Sequence, residues 1–481
     1  MNFFWQSKVD IKERIYIPKY YDPNIKKDLF NKNDTHELVT IKDLIDKNVL
    51  KVNTGDEIGK MAYGTGNIPF VRTSDISNWE IKSAPKQGVS RDIFNSYSDK
   101  QDVRVGDIFL VRDGTYLIGS NCIVTELDDL VLYQSHILKF RVLDQQKLNP
   151  HIFFLLLNSN LVQNQIRSIQ FTADTIDTIG NRFLEITLPI PKQDLDPIII
   201  KCKKALQDRE IGKAFIKKAP PLIEDLIRKS DLSVIEEFLS SNIKNLKKDI
   251  IQETVSDEFS EFTASWISQE KILKQTYIPK YYDPSIEKEI NALESNNEMF
   301  TIGELVEKNL IEIRTGDEIG KISYGTGNIP FIRTSDFSNW EIKHNPKQGI
   351  SEEIYDQYAS KQDIKVNDIF LVRDGTYLVG SSCLVTEEDK KSLYCAGLFK
   401  LRCLSEEYFD SFFLLGILNS HIVKKQFRSK QFTRDVIDTL GNRIMEVKIP
   451  IPKTLQIRKG ISKNIKKIIE NRIYCRTLIS T

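Results

Sequence analysis

Residues 54–75 read TGDEIGKMAYGTGNIPFVRTSD, and residues 315–336 read TGDEIGKISYGTGNIPFIRTSD. The two stretches differ only at Met61/Ile322, Ala62/Ser323 and Val71/Ile332. The likeness extends outward at one constant offset. Trp5 recurs as Trp266, Tyr16 to Pro23 as Tyr277 to Pro284, and Pro189 to Lys192 as Pro450 to Lys453, always 261 residues on (266 − 5; 277 − 16; 450 − 189). A period this long is not that of a solenoid, in which each unit leans on its neighbours. A whole domain is duplicated, and each copy is long enough to bury its own core. Two nearly equal domains in one chain suit a target that also has two related halves.

The 481 residues carry 68 basic and 67 acidic side chains, so net charge names no partner. A neutral total still permits a local basic surface. The six cysteines contain no Cys-x-x-Cys pair and read as small buried residues in a reducing cytoplasm. The sequence shows no signal peptide and no apolar run able to span a bilayer, which predicts a soluble cytoplasmic protein.

Within each copy, Ile41, Leu44 and Ile45 have helical spacing. Asn67 to Thr73 and Asp107 to Arg112 are β-rich runs, and Tyr63 to Asn67 and Arg112 to Thr115 are turn-like. A buried helix is expected from Ile152 to about Ile169, then a strand from Phe183 to Ile190 stopped by Pro189 and Pro191. After the first copy, residues 197–215 are helical in pattern, and Pro220-Pro221 should break that helix. A second helix should start at Ser233, with Glu236 at capping-box spacing. It carries the stripe Ile235, Leu239, Ile243, Leu246 and Ile250 to about Val255. That helix would span roughly 35 Å, about one turn of B-DNA.

The C-terminal tail repeats the device with Ile457, Ile461, Ile465, Ile468 and Ile469. Its other face is basic, with Arg458, Lys459, Lys463, Lys466, Lys467 and Arg472. The two stripes suit an antiparallel pair of helices; the alternative is that each docks on its own domain.

The five histidines never recur between the copies. No nucleophile elbow, His-Glu-x-x-His motif, P-loop, S-adenosylmethionine fingerprint or base-flipping Pro-Pro motif is present. What persists is a set of polar groups at strand ends and turns. In the first copy these are Arg72, Thr73, Ser74, Asn78, Lys86, Gln87, Arg112, Thr115 and Tyr116. In the second they are Arg333, Thr334, Ser335, Asn339, Lys347, Gln348, Arg373, Thr376 and Tyr377. Arginine can fork onto guanine, Asn and Gln can pair with adenine, and Thr and Ser can hold phosphate. The alternative is structural, with Arg112 and Asp113 pairing locally. Trp79 and Trp340 read as core, and Gly114 and Gly375 as turn formers.

Three segments carry a family resemblance. Val105 to Thr115 resembles the Gly-Asp, hydrophobic run, Arg-x-Gly-Thr segment of the specificity subunits of type I restriction-modification systems. Leu188 to Pro191 resembles their proline-rich exit from a recognition domain. Leu132 to His136 resembles a segment where members carry Asn-Gln or Gln-His, which adds Gln134 and His136 to the candidate DNA-binding set. The resemblance implies an α+β fold: two mixed target-recognition domains joined by long helices in an antiparallel coiled-coil-like spacer. It places the domains at 1–192 and 262–453, the helical spacer at 193–261 and a C-terminal helix at 454–481.

It further implies a non-catalytic chain without metal or cofactor of its own. The expected partners are double-stranded DNA, two adenine-N6 methyltransferase subunits holding S-adenosylmethionine, and a restriction/translocase subunit. The second copy departs from the motif in having Cys395-Ala396-Gly397 for Gln134-Ser135-His136 and Asn367 for Gly106, differences that suit either diverged half-sites or drift. Rival readings are a DNA-recognition subunit of a defence complex without methylation, and a protein-interaction scaffold.

Overall fold

The computed structural model describes residues 7, 11–12, 15–114, 116–128, 130–173, 176–241, 266–272, 277–375, 377–434 and 437–480. The described residues divide into two compact units, one holding those within 1–210 and 474–480, the other those within 211–241 and 266–473.

The first unit is built on a four-stranded antiparallel sheet in the order Leu50–Thr54, Ile137–Val142, Ile108–Val111, Asn121–Ile123. Ile108–Val111 is buried at every position, which is why its sequence is an unbroken apolar run rather than an alternating one. Beside it lies a three-stranded sheet in which Ile68–Val71 pairs antiparallel with Gly88–Val89 and parallel with Leu132–Tyr133. The predicted strand from Asn67 to Thr73 is shorter than expected. Thr73–Asp75 forms a 3-10 turn instead, because the Asp75 carboxylate accepts the Arg72 amide at 3.0 Å.

The expected single helix over 152–169 is two, Pro150–Asn158 and Asn160–Ser168. Ser159 ends the first and caps the second through the Val162 amide. Pro189 and Pro191 do not stop a strand but lie in one, Thr187–Pro191. Among the described residues that strand pairs only with His36–Thr40, so a missing N–H is tolerated. Ile41–Asp46 is a helix with a full Thr40/Asp43 capping box.

The second unit repeats each of these sheets, with Leu398–Cys403 central to its four-stranded one. The fold class is thus α+β, two duplicated mixed domains with long helices.

The helices after the domains correct two expectations. Asp196–Lys229 is one helix that runs through Pro220 and Pro221. Two prolines cost backbone hydrogen bonds. Opposing that cost, Phe215, Ala219, Ile223, Leu226 and Ile227 on this helix are completely buried. The helix from Ser233 ends at Ser240. Ile243, Leu246, Ile250 and Val255 lie outside the described residues.

Leu455–Ser480 is the C-terminal helix, with Ile457, Ile461, Ile465, Ile468 and Ile469 all buried. Within the second unit it runs antiparallel to the 211–229 segment. A Cβ on Gly212 would lie 3.2 Å from Ile468, and one on Gly460 would meet Leu232. In the first unit Cys202, Ala205 and Leu206 share a core with Cys475 and Ile479. Among the described residues the antiparallel partner is therefore the 196–229 helix, and the stripe from Ile243 to Val255 expected to pair with the C-terminal helix lies outside them.

Arg472 is not on the basic face. It is fully buried and donates to Glu341 at 2.6 Å through Nη2. Arg209 makes the matching pair with Glu80. Among the described residues no helix is long and apolar enough to cross a membrane.

An ion network recurs in both sheets. Arg141 forks onto Asp107 with both bonds at 2.7 Å and reaches Asp102 at 2.6 Å; Arg402 does the same with Asp368 and Asp363. The hydrogen bond from Arg141 foremost holds the Asp102 carboxyl down at about 2, and that from Arg402 lowers Asp363. A carboxylate depressed in the folded state stabilises it above the ordinary value of 3.8, and this is lost as pH falls through the folded value. Thermal unfolding followed by circular dichroism should show melting temperature dropping from pH 3.8 down to about 2. Asp102→Asn with Asp363→Asn should flatten that drop; an unchanged acid limb in the double variant would remove these carboxylates from the explanation.

Candidate nucleic-acid interface

In the first unit the loop from Gly55 to Gly66 links the candidate groups. At its base Glu57 accepts from the Ser135 hydroxyl and lies 3.9 Å from His136 Nε2. At its far end the Tyr63 ring sits under the Arg72 guanidinium, 5.9 Å from centroid to Cζ. Asp75, only 1% exposed, fixes the next part: its carboxylate accepts the amides of Arg72 at 3.0 Å and Lys86 at 3.4 Å. One buried carboxylate thus sets the backbone from which two cations rise. Arg72 and Thr73 are half-buried, while Ser74 and Lys86 are exposed. Gln87 is half-buried, its carbonyl accepting the Phe70 amide at 3.0 Å.

Arg112 and His136 meet at Asp113. Arg112 donates to both carboxylate oxygens, at 2.9 Å from Nη2, and His136 Nδ1 lies 2.8 Å away. Thr178 donates as well. Burial pushes the Asp113 carboxyl up, but the hydrogen bonds from Arg112, Thr178 and His136 outweigh it and hold it below its usual value. His on Asp is the pairing that activates a nucleophile, yet Ser135 is bonded to Glu57. The arrangement therefore presents donors and acceptors rather than an attacking oxygen. Tyr116 is half-buried. Gln134 is largely buried, and its amide bonds to Val71 at 3.0 Å.

The second unit repeats the face with one change. Arg333 lies 5.8 Å from the Tyr324 ring, and its amide donates to the buried Asp336 at 2.9 Å. Thr334 and Gln348 are half-buried; Ser335, Lys347 and Tyr377 are exposed. Gly397 stands where His136 would be, and a Cβ there would come 3.0 Å from Thr334 Cγ2. Arg373 pairs with Asp374 at 3.2 Å and also donates to the Ala396 carbonyl. The Asp374 side chain is 27% exposed against 7% for Asp113. The thiol of Cys395 is buried, which pushes it up to about 11.

Asn78 and Asn339 lie in hairpin turns, the first buried and the second half-buried. Asn78 and Trp79 both have positive φ, 51° and 63°, and form the two-residue turn of the hairpin Ile76–Ser77/Glu80–Ile81. Asn78 is 5% exposed, and the Trp79 indole donates to Asn158 at 2.8 Å. Asn339 and Trp340 form the same turn, and Trp340 stacks edge-on against Phe215. Thr115 and Thr376 lie outside the described residues. Reasoning from sequence passed over Asp75, Asp336, Glu57 and Tyr63. Their signal was recurrence within the longest identical run. Among the described residues no group of His, Cys, Asp or Glu could hold a metal ion.

No family model and no curated protein matches the sequence. Solved structures do. The S subunit of a type I restriction-modification system from M. genitalium is 14% identical, over 92% of this chain and 95% of that one, with a TM-score of 0.34. A structure of the type I R-M system, described for its complex assembly and conformational transition, is 14% identical over 92% and 96%, at 0.27. The HsdS subunit from Thermoanaerobacter tengcongensis is 15% identical over 93% and 95%, at 0.26. In these three structures, then, the chain is similar to type I restriction-modification proteins along nearly its whole length.

Proposed function

We propose that this chain is the sequence-specific DNA-recognition subunit of a type I restriction-modification complex, each unit reading one half of a bipartite duplex site. The observation that carries the reading is a face built twice. An arginine lies on a tyrosine ring, a buried aspartate ties that arginine to an exposed lysine, and a second arginine is held by a neighbouring aspartate. Such a face supplies phosphate neutralisation from the lysines and base-edge donors from the arginines. Gln134-Ser135-His136 against Cys395-Ala396-Gly397 is the place where the two half-sites diverge. Adenine-N6 chemistry, with its S-adenosylmethionine and base flipping, belongs to two partner methyltransferase subunits, and cleavage to a restriction/translocase subunit.

The test is a map of methylated adenines in cells carrying the chain and its partner. Two modified half-sites at a fixed separation are expected, and exchanging 134–136 with 395–397 should change one or both half-sites while keeping their separation. A map that stays identical after the exchange would take base reading away from that segment. Absence of any bipartite pattern would defeat the larger reading.

A further inference from the structure

The loop from Gly55 to Gly66 holds one more feature that the polar groups do not explain. At its tip Met61 is 93% exposed, and at the same position in the second unit Ile322 is also 93% exposed. A lone exposed apolar side chain is ordinary. Here it occurs twice, remains apolar through a Met-to-Ile change, and stands on a turn built to hold it out. Gly59 enters that turn at φ 76°, a conformation few other residues adopt. The Ala62 amide bonds to Gly59 at 3.2 Å, the Thr65 hydroxyl donates to Ala62 at 2.8 Å, and the Ser90 amide donates to that hydroxyl at 3.0 Å. The second unit has the same ties through Thr326 to Ser323 and Ser351. A side chain so fixed loses little freedom on binding.

Its surroundings say what it meets. Lys60 and Lys321, adjacent in sequence, are exposed cations, and two residues on, Tyr63 and Tyr324 underlie Arg72 and Arg333. The other exposed residues of the loop are Glu57, Gly59, Gly64 and Thr65, so no apolar patch surrounds the tip. A protein partner needs about 800 Å² on each side, which one side chain cannot supply. A base step needs only a single apolar group beside phosphate-neutralising cations, as in proteins that pry duplex steps apart with Met, Ile or Leu.

Resting on the DNA reading above, we propose that Met61 and Ile322 are apolar wedges, each inserted at a base step of its own half-site. The wedge partly unstacks that step. Lys60 or Lys321 neutralises the phosphate beside it.

The experiment uses the full chain and the duplex it selects from a random pool, with adenines of either half-site replaced by 2-aminopurine. Its fluorescence rises when the base is unstacked. Wild type should brighten the probe in both half-sites. Met61→Ala should abolish the rise in one and Ile322→Ala in the other. Each should weaken target binding about tenfold, the worth of one buried apolar side chain, with the salt slope unchanged. Met61→Ile should keep the signal. Both positions are exposed, so the variants should melt with wild type. A bound wild-type chain with no fluorescence rise, or alanine variants with undiminished rise and affinity, overturns the wedge and leaves DNA recognition standing. Alanine variants that fail only to bind the methyltransferase partner reassign the tip to a protein interface and overturn the wedge too. A wild-type chain that selects no duplex overturns both.

Discussion

Arg472→Ala will destabilise the second unit by about 3–5 kcal/mol, the cost of removing one partner from a buried ion pair. Arg472 is completely buried and Glu341 is 2% exposed, with Nη2 at 2.6 Å and Nε at 3.1 Å from one carboxylate oxygen. The substitution leaves that carboxylate in the interior without its guanidinium. It also removes the anchor between the C-terminal helix and the short hairpin that carries Asn339 and Trp340. For a unit of this size the melting temperature should fall by roughly 10 °C. Calorimetry of the full chain is the measurement. Glu341→Gln together with Arg472→Met should recover most of the loss, since an apolar or neutral replacement of both partners is far cheaper than breaking the pair. Arg209→Ala should act in the same way on the first unit through Glu80. A loss below 1 kcal/mol in Arg472→Ala would mean that the pair only decorates an interface held by apolar packing.

That pair was invisible in the sequence for a definite reason. The repeat runs at 261 through Lys192 and Lys453, but Arg209 and Arg472 are 263 apart (472 − 209), so a gapless comparison sets Arg209 against Glu470. Arg472 then looked like one more cation on a basic face. Pro220-Pro221 misled in the opposite way, since a sound local rule lost to the burial of the helix face around it. The strands were legible because their cores are continuous apolar runs, and the turns because glycine marks them.

Within the candidate face, the arginines stood out as repeated charges at strand ends. Asn78 stood out as a repeated neutral polar group, but Asn tolerates positive φ and the hairpin uses it for its turn. Beyond the local pairing of Arg112 with Asp113, the sequence held no sign of which polar groups would touch. Beside its neighbour Arg112, Asp113 gathers His136 and Thr178 from two separate segments, a convergence that only folding brings about.

The arginine on the tyrosine ring is where the proposed function meets its strongest single test. Arg72→Ala should weaken binding to one half-site by about 10- to 100-fold, the worth of a bidentate pairing with guanine, and Arg333→Ala should do the same at the other. The two arginines are held alike, by a buried aspartate on the amide and a ring about 6 Å from the guanidinium. Their losses should therefore be similar in size and differ only in location. Lysine separates the possible roles. It keeps the charge but not the planar fork, so Arg72→Lys should stay defective at a guanine and recover at a phosphate. Lys86→Ala supplies the comparison: removing a phosphate-neutralising cation there weakens all sequences alike and lowers the salt slope by about one. Titrations of each variant against duplexes altered in one half-site at a time give the answer. Equal weakening across all sequences in Arg72→Ala, rescued by lysine, would move Arg72 from reading bases to holding the backbone. No weakening in either alanine variant would return both arginines to the Tyr63 and Tyr324 rings as packing, and the doubled face would lose its claim to be the reading surface.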